Sequence, residues 1–141
     1  MQVSVKAGRM VMGRLKKGDD LLGALQQICS QQDIKLAEIR GLGAVKHARI
    51  GYYDQDGREY TFVDLAQHME LLALIGNVSI KDGKPFVHAH VTFANSQGES
   101  FGGHLAEGTE VFACEFIITE YLSNTALERA PDDETGLFLW K

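Results

Sequence analysis

Proline and cysteine are scarce in this chain of 141 residues, with two of each. The cysteines, Cys29 and Cys114, lie far apart in sequence, each among apolar neighbours. That usage disfavours a disulfide framework and predicts buried free thiols in a reducing compartment. No apolar run approaches the roughly 18–20 residues of a membrane span. The opening stretch, MQVSVKAGRM, contains no apolar h-region with a small-residue cleavage site, so a cytoplasmic protein without a membrane partner is expected. Positive charge also falls short: 14 Lys and Arg face 19 Asp and Glu, a formal net charge of -5. Such a surface repels a phosphate backbone overall. The one short basic run, Arg14-Leu15-Lys16-Lys17, meets Asp19-Asp20 at once, which disfavours a nucleic-acid partner.

Hydrophobic residues at 45% and charged residues at 23% give the balance of an ordinary globular chain, and the length predicts one domain over residues 1–141. Glycine supplies most of the punctuation. Met10 to Leu15 reads as a short strand. Leu21, Leu22, Ala24, Leu25, Ile28 and Cys29 then fall on one helical face, with Gln26, Gln27, Ser30 and Gln31 opposite, and Asp19 or Asp20 is placed to cap that helix. Leu36 to Arg40 leads through Gly41-Leu42-Gly43-Ala44, expected as a tight entry, into a strand from Val45 to Tyr53. Reversals follow at Asp54-Gln55-Asp56-Gly57, Lys81-Asp82-Gly83-Lys84 and Asn95-Ser96-Gln97-Gly98. Between them lie strands over 59–65, 70–80, 86–94 and 100–105. Val111 to Tyr121 alternates, with Val111, Ala113, Glu115, Ile117 and Thr119 expected on one face. Short turns imply antiparallel pairing, so the fold class is α+β: a mostly antiparallel sheet with one main helix packed on it. The end, Leu137-Phe138-Leu139-Trp140, is expected to dock on the body or on a neighbour.

The sharpest chemical signal is His88-Ala89-His90 followed by Gly102-Gly103-His104. Strand side chains alternate, so His88 and His90 share a face. A reversal at Asn95–Gly98 brings His104 opposite residue 89 or 90, with room for a bulge at the two glycines. Opposed Cβ atoms lie about 4.5–5.5 Å apart, so three imidazoles would converge. Three neutral imidazoles with a fourth position left open form a common zinc arrangement, while Ni²⁺, Fe²⁺ and Cu²⁺ also accept this ligand.

Weaker candidates accompany them. Glu70 and Glu115 are carboxylates within apolar strands and could accept from a ligating imidazole, a role such histidines need filled; each could equally be solvated or ion-paired. His47 and His68 have no partner at a diagnostic spacing. Cys114 lacks an activating neighbour, and no serine sits in a nucleophile elbow. Gly41-Leu42-Gly43-Ala44 lacks the third glycine and the following helix of a dinucleotide site.

Several segments together resemble the PPC (plant and prokaryote conserved) domain. They are Gly41-Leu42-Gly43-Ala44-Val45, Glu70-Leu71-Leu72-Ala73-Leu74-Ile75-Gly76-Asn77, His88-Ala89-His90-Val91-Thr92-Phe93, Gly98, and Gly102-Gly103-His104-Leu105. They occur in family order across roughly Arg9 to Tyr121, and the tail through Gly136 and Leu137 is similar to that of stand-alone prokaryotic members. The resemblance implies a homotrimer in which His88, His90 and His104 hold a metal, usually zinc. In plants the domain follows AT-hooks that bind DNA, and it mediates self-association and contacts with transcription factors. Prokaryotic members are often labelled predicted DNA-binding proteins. No Arg-Gly-Arg-Pro element occurs in this chain. Three functions are therefore carried forward: a metal-binding homotrimer with a regulatory role through protein partners, a metal-dependent enzyme on a small molecule with activated water as nucleophile and Glu70 as general base, and DNA binding by the assembly.

Overall fold

A computed structural model describes residues 1–141. The elements run β1 (Lys6–Leu15), α1 (Leu21–Gln31), β2 (Ala37–Asp54), β3 (Glu59–Leu65), β4 (Met69–Lys81), β5 (Lys84–Ala94), β6 (Ser100–Leu105), β7 (Glu110–Leu122), β8 (Arg129–Pro131) and β9 (Phe138–Trp140). All strand pairings between these elements are antiparallel. The main sheet is ordered β1-β7-β2-β4-β5-β6, with β3 on β2. It also closes on itself, because Ile50 and Gly51 of β2 pair with Leu105 and His104 of β6.

That closure depends on β2, which is longer and more bent than the sequence implies. Gly41 to Ala44 is not an entry turn; it lies inside one continuous strand of 18 residues. The pairing with β4 slips between Gly41 and Gly43, and Gly43 has φ +152°. A Cβ there would sit 2.1 Å from the Ala113 carbonyl oxygen, so only glycine lets β7 approach at the bend. Past Val45 and His47, β2 leaves β4 and β7 in turn and takes β3 and β6 as neighbours. A second slip in β2–β7 places Val45 against Val111 and Ala44 against Ala113. It reverses the expected phase at the start of β7: Val111 is buried, and Phe112 is exposed. At the other end, β1 begins at Lys6 rather than Met10.

The helix forms where its apolar stripe predicts. Asp20 caps it by accepting from the Gly23 N–H at 2.8 Å, and Leu21, Leu25 and Cys29 are fully buried. They pack with Ile39, Leu74, Val91 and Phe93 in the core inside the sheet. Gln26 faces the other way and still holds the sheet: its side-chain oxygen accepts from the Val87 N–H at 2.9 Å, and its amide donates to the Pro85 carbonyl. This clamp fixes the start of β5 directly before His88. Both cysteines are buried and free. No helix is long and apolar enough to cross a membrane.

Candidate metal centre

Alternation along β5 puts Val87, Ala89, Val91 and Phe93 in the core, which turns His88 and His90 outward together. The hairpin between β5 and β6 runs in one unbroken register from Ala94–Ser100 to His90–His104. The bulge allowed for at Gly102-Gly103 is therefore absent, and His90 directly faces His104. Gly103 has a different task. A Cβ on it would lie 2.7 Å from the Gly51 carbonyl oxygen, so glycine is what lets β6 seat against β2 and bring His104 into line.

The three rings meet. One nitrogen from each of His88, His90 and His104 lies within 4.8 Å of the others, and ring centroids are 5.0 to 5.4 Å apart. His88 and His104 are half-buried, and His90 is exposed. Burial drives the His88 pKa down to about 4, helped by the Arg129 cation and the other two rings. His104 is lowered by burial, then by His90 and Arg129. Both shifts favour the neutral imidazole, the form a metal takes. His104 Nδ1 is buried with no hydrogen-bond partner, and an unsatisfied buried nitrogen is costly. The donor set thus fits a divalent ion: three imidazole nitrogens, neutral, convergent and partly unsatisfied. The cluster could hold a metal.

The carboxylates offered by the sequence are not there. Glu70 pairs with Ala94, whereas His90 pairs with Ile75, so Glu70 sits five residues along β4, about 15 Å away. Glu115 is on β7, three strands from β5. Neither supports an imidazole, and Glu70 has no access to the cluster as a general base. His47 bonds the Gly108 carbonyl and lies near Asp64. His68 lines a separate cavity beside Glu70 and Asn95.

What surrounds the cluster comes instead from the tail, whose apolar end docks on the body as its sequence predicts. The β8–β9 hairpin lies against the outward face of β4. Trp140 Nε1 donates to Ser79 Oγ at 3.1 Å. Arg129 Nε donates to the same hydroxyl at 2.9 Å, and its Nη2 donates to Asn77 Oδ1 at 2.8 Å. That Nη2 is also 3.4 Å from His88 Nδ1. Tyr60 of β3 packs its ring 5.0 Å from that of His104. The only sequence signal for Arg129 is its isolation as a cation among Glu128, Asp132, Asp133 and Glu134.

Comparison with known proteins agrees with this architecture. A metal-containing protein from Archaeoglobus fulgidus superposes with a TM-score of 0.94 at 42% identity, covering 100% of this chain and 99% of that one. A plant- and prokaryote-conserved (PPC) protein from Pyrococcus horikoshii gives 0.94 at 40% identity, covering 100% and 96%. The bifunctional protein GlmU of a Synechococcus strain is 31% identical over 124 residues, which is 87% of this chain but 18% of that protein, so the chain spans only a small part of its length. The profile of the Plants and Prokaryotes Conserved (PCC) domain matches residues 2–122. The chain belongs to that family.

Proposed function

We propose that this protein binds one divalent metal ion, zinc, through His88, His90 and His104, and works as a homotrimer whose role is regulatory and exerted through protein partners. One observation carries the metal: three imidazole nitrogens from two paired strands within 4.8 Å of one another. The similar Archaeoglobus fulgidus protein is described as metal-containing, which favours the same reading. Three histidine ligands leave one position open, where bound zinc polarises an incoming donor or acidifies water. Elemental analysis tests it. His88→Ala and His104→Ala should each lose most of the metal found per chain in the wild type while keeping the strand-rich circular dichroism. Unchanged metal content in both variants overturns the assignment.

The homotrimer is supported by an apolar outer face. Met12 of β1, Leu42 of β2, Leu72 and Ile75 of β4 and Ile117 of β7 are exposed and line one groove. A contiguous patch of this kind is unusual on a monomer. The tail covers Ser79 and Asn77 at one end of the β4 stripe and stops short of Ile75. Sedimentation that shows only monomer at micromolar concentration would remove the assembly.

DNA binding draws less support. The net charge of -5 opposes it, and the broad exposed face is apolar rather than basic. An enzymatic reading keeps the open coordination position but lacks the carboxylate base at Glu70.

A further inference from the structure

The space between the tail hairpin and the histidine cluster is a cavity of about 330 Å³ whose wall includes His88, His104, Tyr60, Phe86, Phe138 and Arg129. That volume suits a small molecule. Three cations, Arg58, Lys81 and Arg129, line it against the single carboxylate of Glu59. None of the three forms an ion pair. Arg129 is the telling one. Its guanidinium sits near the Phe86 and Trp140 rings, 5.6 and 5.5 Å from their centroids. Its acceptors are Ser79 Oγ, Asn77 Oδ1 and the Phe138 carbonyl. All are neutral, and three acceptors leave two of the five guanidinium hydrogens free. A half-buried cation without a counter-charge is unfavourable, and an anion entering the cavity would relieve it. The Lys81 ammonium lies 3.8 Å from the Phe138 ring centroid on the same wall.

We propose that this cavity binds a small organic carboxylate, with its charge read by Arg129 and Lys81, its body against Phe86 and Phe138, and its carboxylate facing the histidine cluster. The last contact rests on the metal reading above; the cationic wall does not. The aromatic lining is what distinguishes an organic acid from inorganic phosphate, which has no apolar body to bury. The family profile ends at Leu122, so the Arg129 side of the cavity is supplied by the segment beyond it.

The test is calorimetric titration of the zinc-loaded full chain with succinate, with succinamide and inorganic phosphate as comparators, and with metal per chain measured on the same samples. Succinate should bind at least about tenfold more tightly than succinamide, the effect of one charge-assisted contact. Arg129→Gln and Lys81→Gln should each weaken succinate with metal content unchanged, and Arg129→Lys should recover part of the loss. Equal affinity for succinate and succinamide, or tighter binding of phosphate, overturns the proposal. Arg129→Gln also removes anchors of the tail hairpin. Lys81→Gln narrows that ambiguity, because it removes no hydrogen bond of the tail hairpin and gives up only the cation–π contact with Phe138; unchanged succinate affinity in Lys81→Gln overturns the proposal whatever Arg129→Gln does. A chain that retains no zinc yet binds succinate through Arg129 sinks the metal assignment and supports the cationic cavity. A chain that holds zinc and ignores succinate does the reverse.

Discussion

Ile75 lies directly across from His90 in the β4–β5 pairing. Opposed residues of an antiparallel pair share a face, so the exposed apolar groove and the exposed member of the histidine cluster adjoin. Ile75 itself is 63% exposed. Ile75→Glu should therefore break self-association first, by about thirtyfold or more if the residue is central to the contact. Sedimentation velocity across a concentration series measures this. An unaltered assembly would place the interface elsewhere.

Gly103→Ala separates the seating of β6 from the chemistry of the rings. Its Cβ would approach the Gly51 carbonyl oxygen to 2.7 Å, and both atoms are held rigidly by the backbone, so the strands must part. We expect a loss of about 1–3 kcal/mol in urea unfolding together with weaker metal retention, although every histidine is present. Wild-type stability in this variant would show that β6 has slack.

Arg9 and Glu120 form the ion pair that ties β1 to the end of β7, with Arg9 Nε 2.6 Å from the Glu120 carboxylate. Hydrogen bonding from Arg9 holds the Glu120 pKa below its ordinary 4.5. A carboxylate with a depressed folded pKa stabilises fully above its unfolded value and loses that contribution as pH falls through the folded one. Wild type should thus exceed Glu120→Gln in urea midpoint at neutral pH, with the gap closing only below about pH 4.5. A gap of constant size across acid titration would mean that packing, not charge, holds this corner.

Burial pushes both thiols, Cys29 and Cys114, up to about 11. Relative to an ordinary thiol, that cuts the thiolate fraction about a hundredfold. Neither should react with a disulfide reagent in the folded protein at mildly alkaline pH, and both should react in urea. Rapid labelling of one thiol without denaturant would contradict its burial.

The hairpin carrying the histidines was legible because its determinants are local. Asp82 and Gly83 both adopt positive φ at the β4–β5 reversal, and Asn95 Oδ1 accepts from the Gln97 and Glu99 N–H groups at the next. Once those turns are placed, the register of His90 and His104 follows by counting. The same holds for the Asp20 cap and the stripe of α1. What stayed hidden is non-local. The closure of β2 on β6 involves only Ile50 and Gly51, far in sequence from their partners, and depends on how closely Gly103 permits approach. The slip between Val111 and Ala113 has no residue signature, because Val111 and Phe112 suit either face. Arg129 escaped notice since a short irregular tail has no period to read. Glu70 and Glu115 misled for a related reason: a carboxylate in an apolar strand looks purposeful until the sheet shows which neighbours it has.

Bent at Gly43, β2 is paired by β7 and β4 in its first part, as far as Val45 and His47, and by β3 and, at Ile50 and Gly51, β6 in its second. A central stave held on both sides along most of its length has little free rim from which to fray. Its amides should be among the last to exchange with deuterium, opening only when the whole molecule lets go. The histidine-bearing side of the ring is then kept in shape less by its own strands than by the reluctance of this one to unzip.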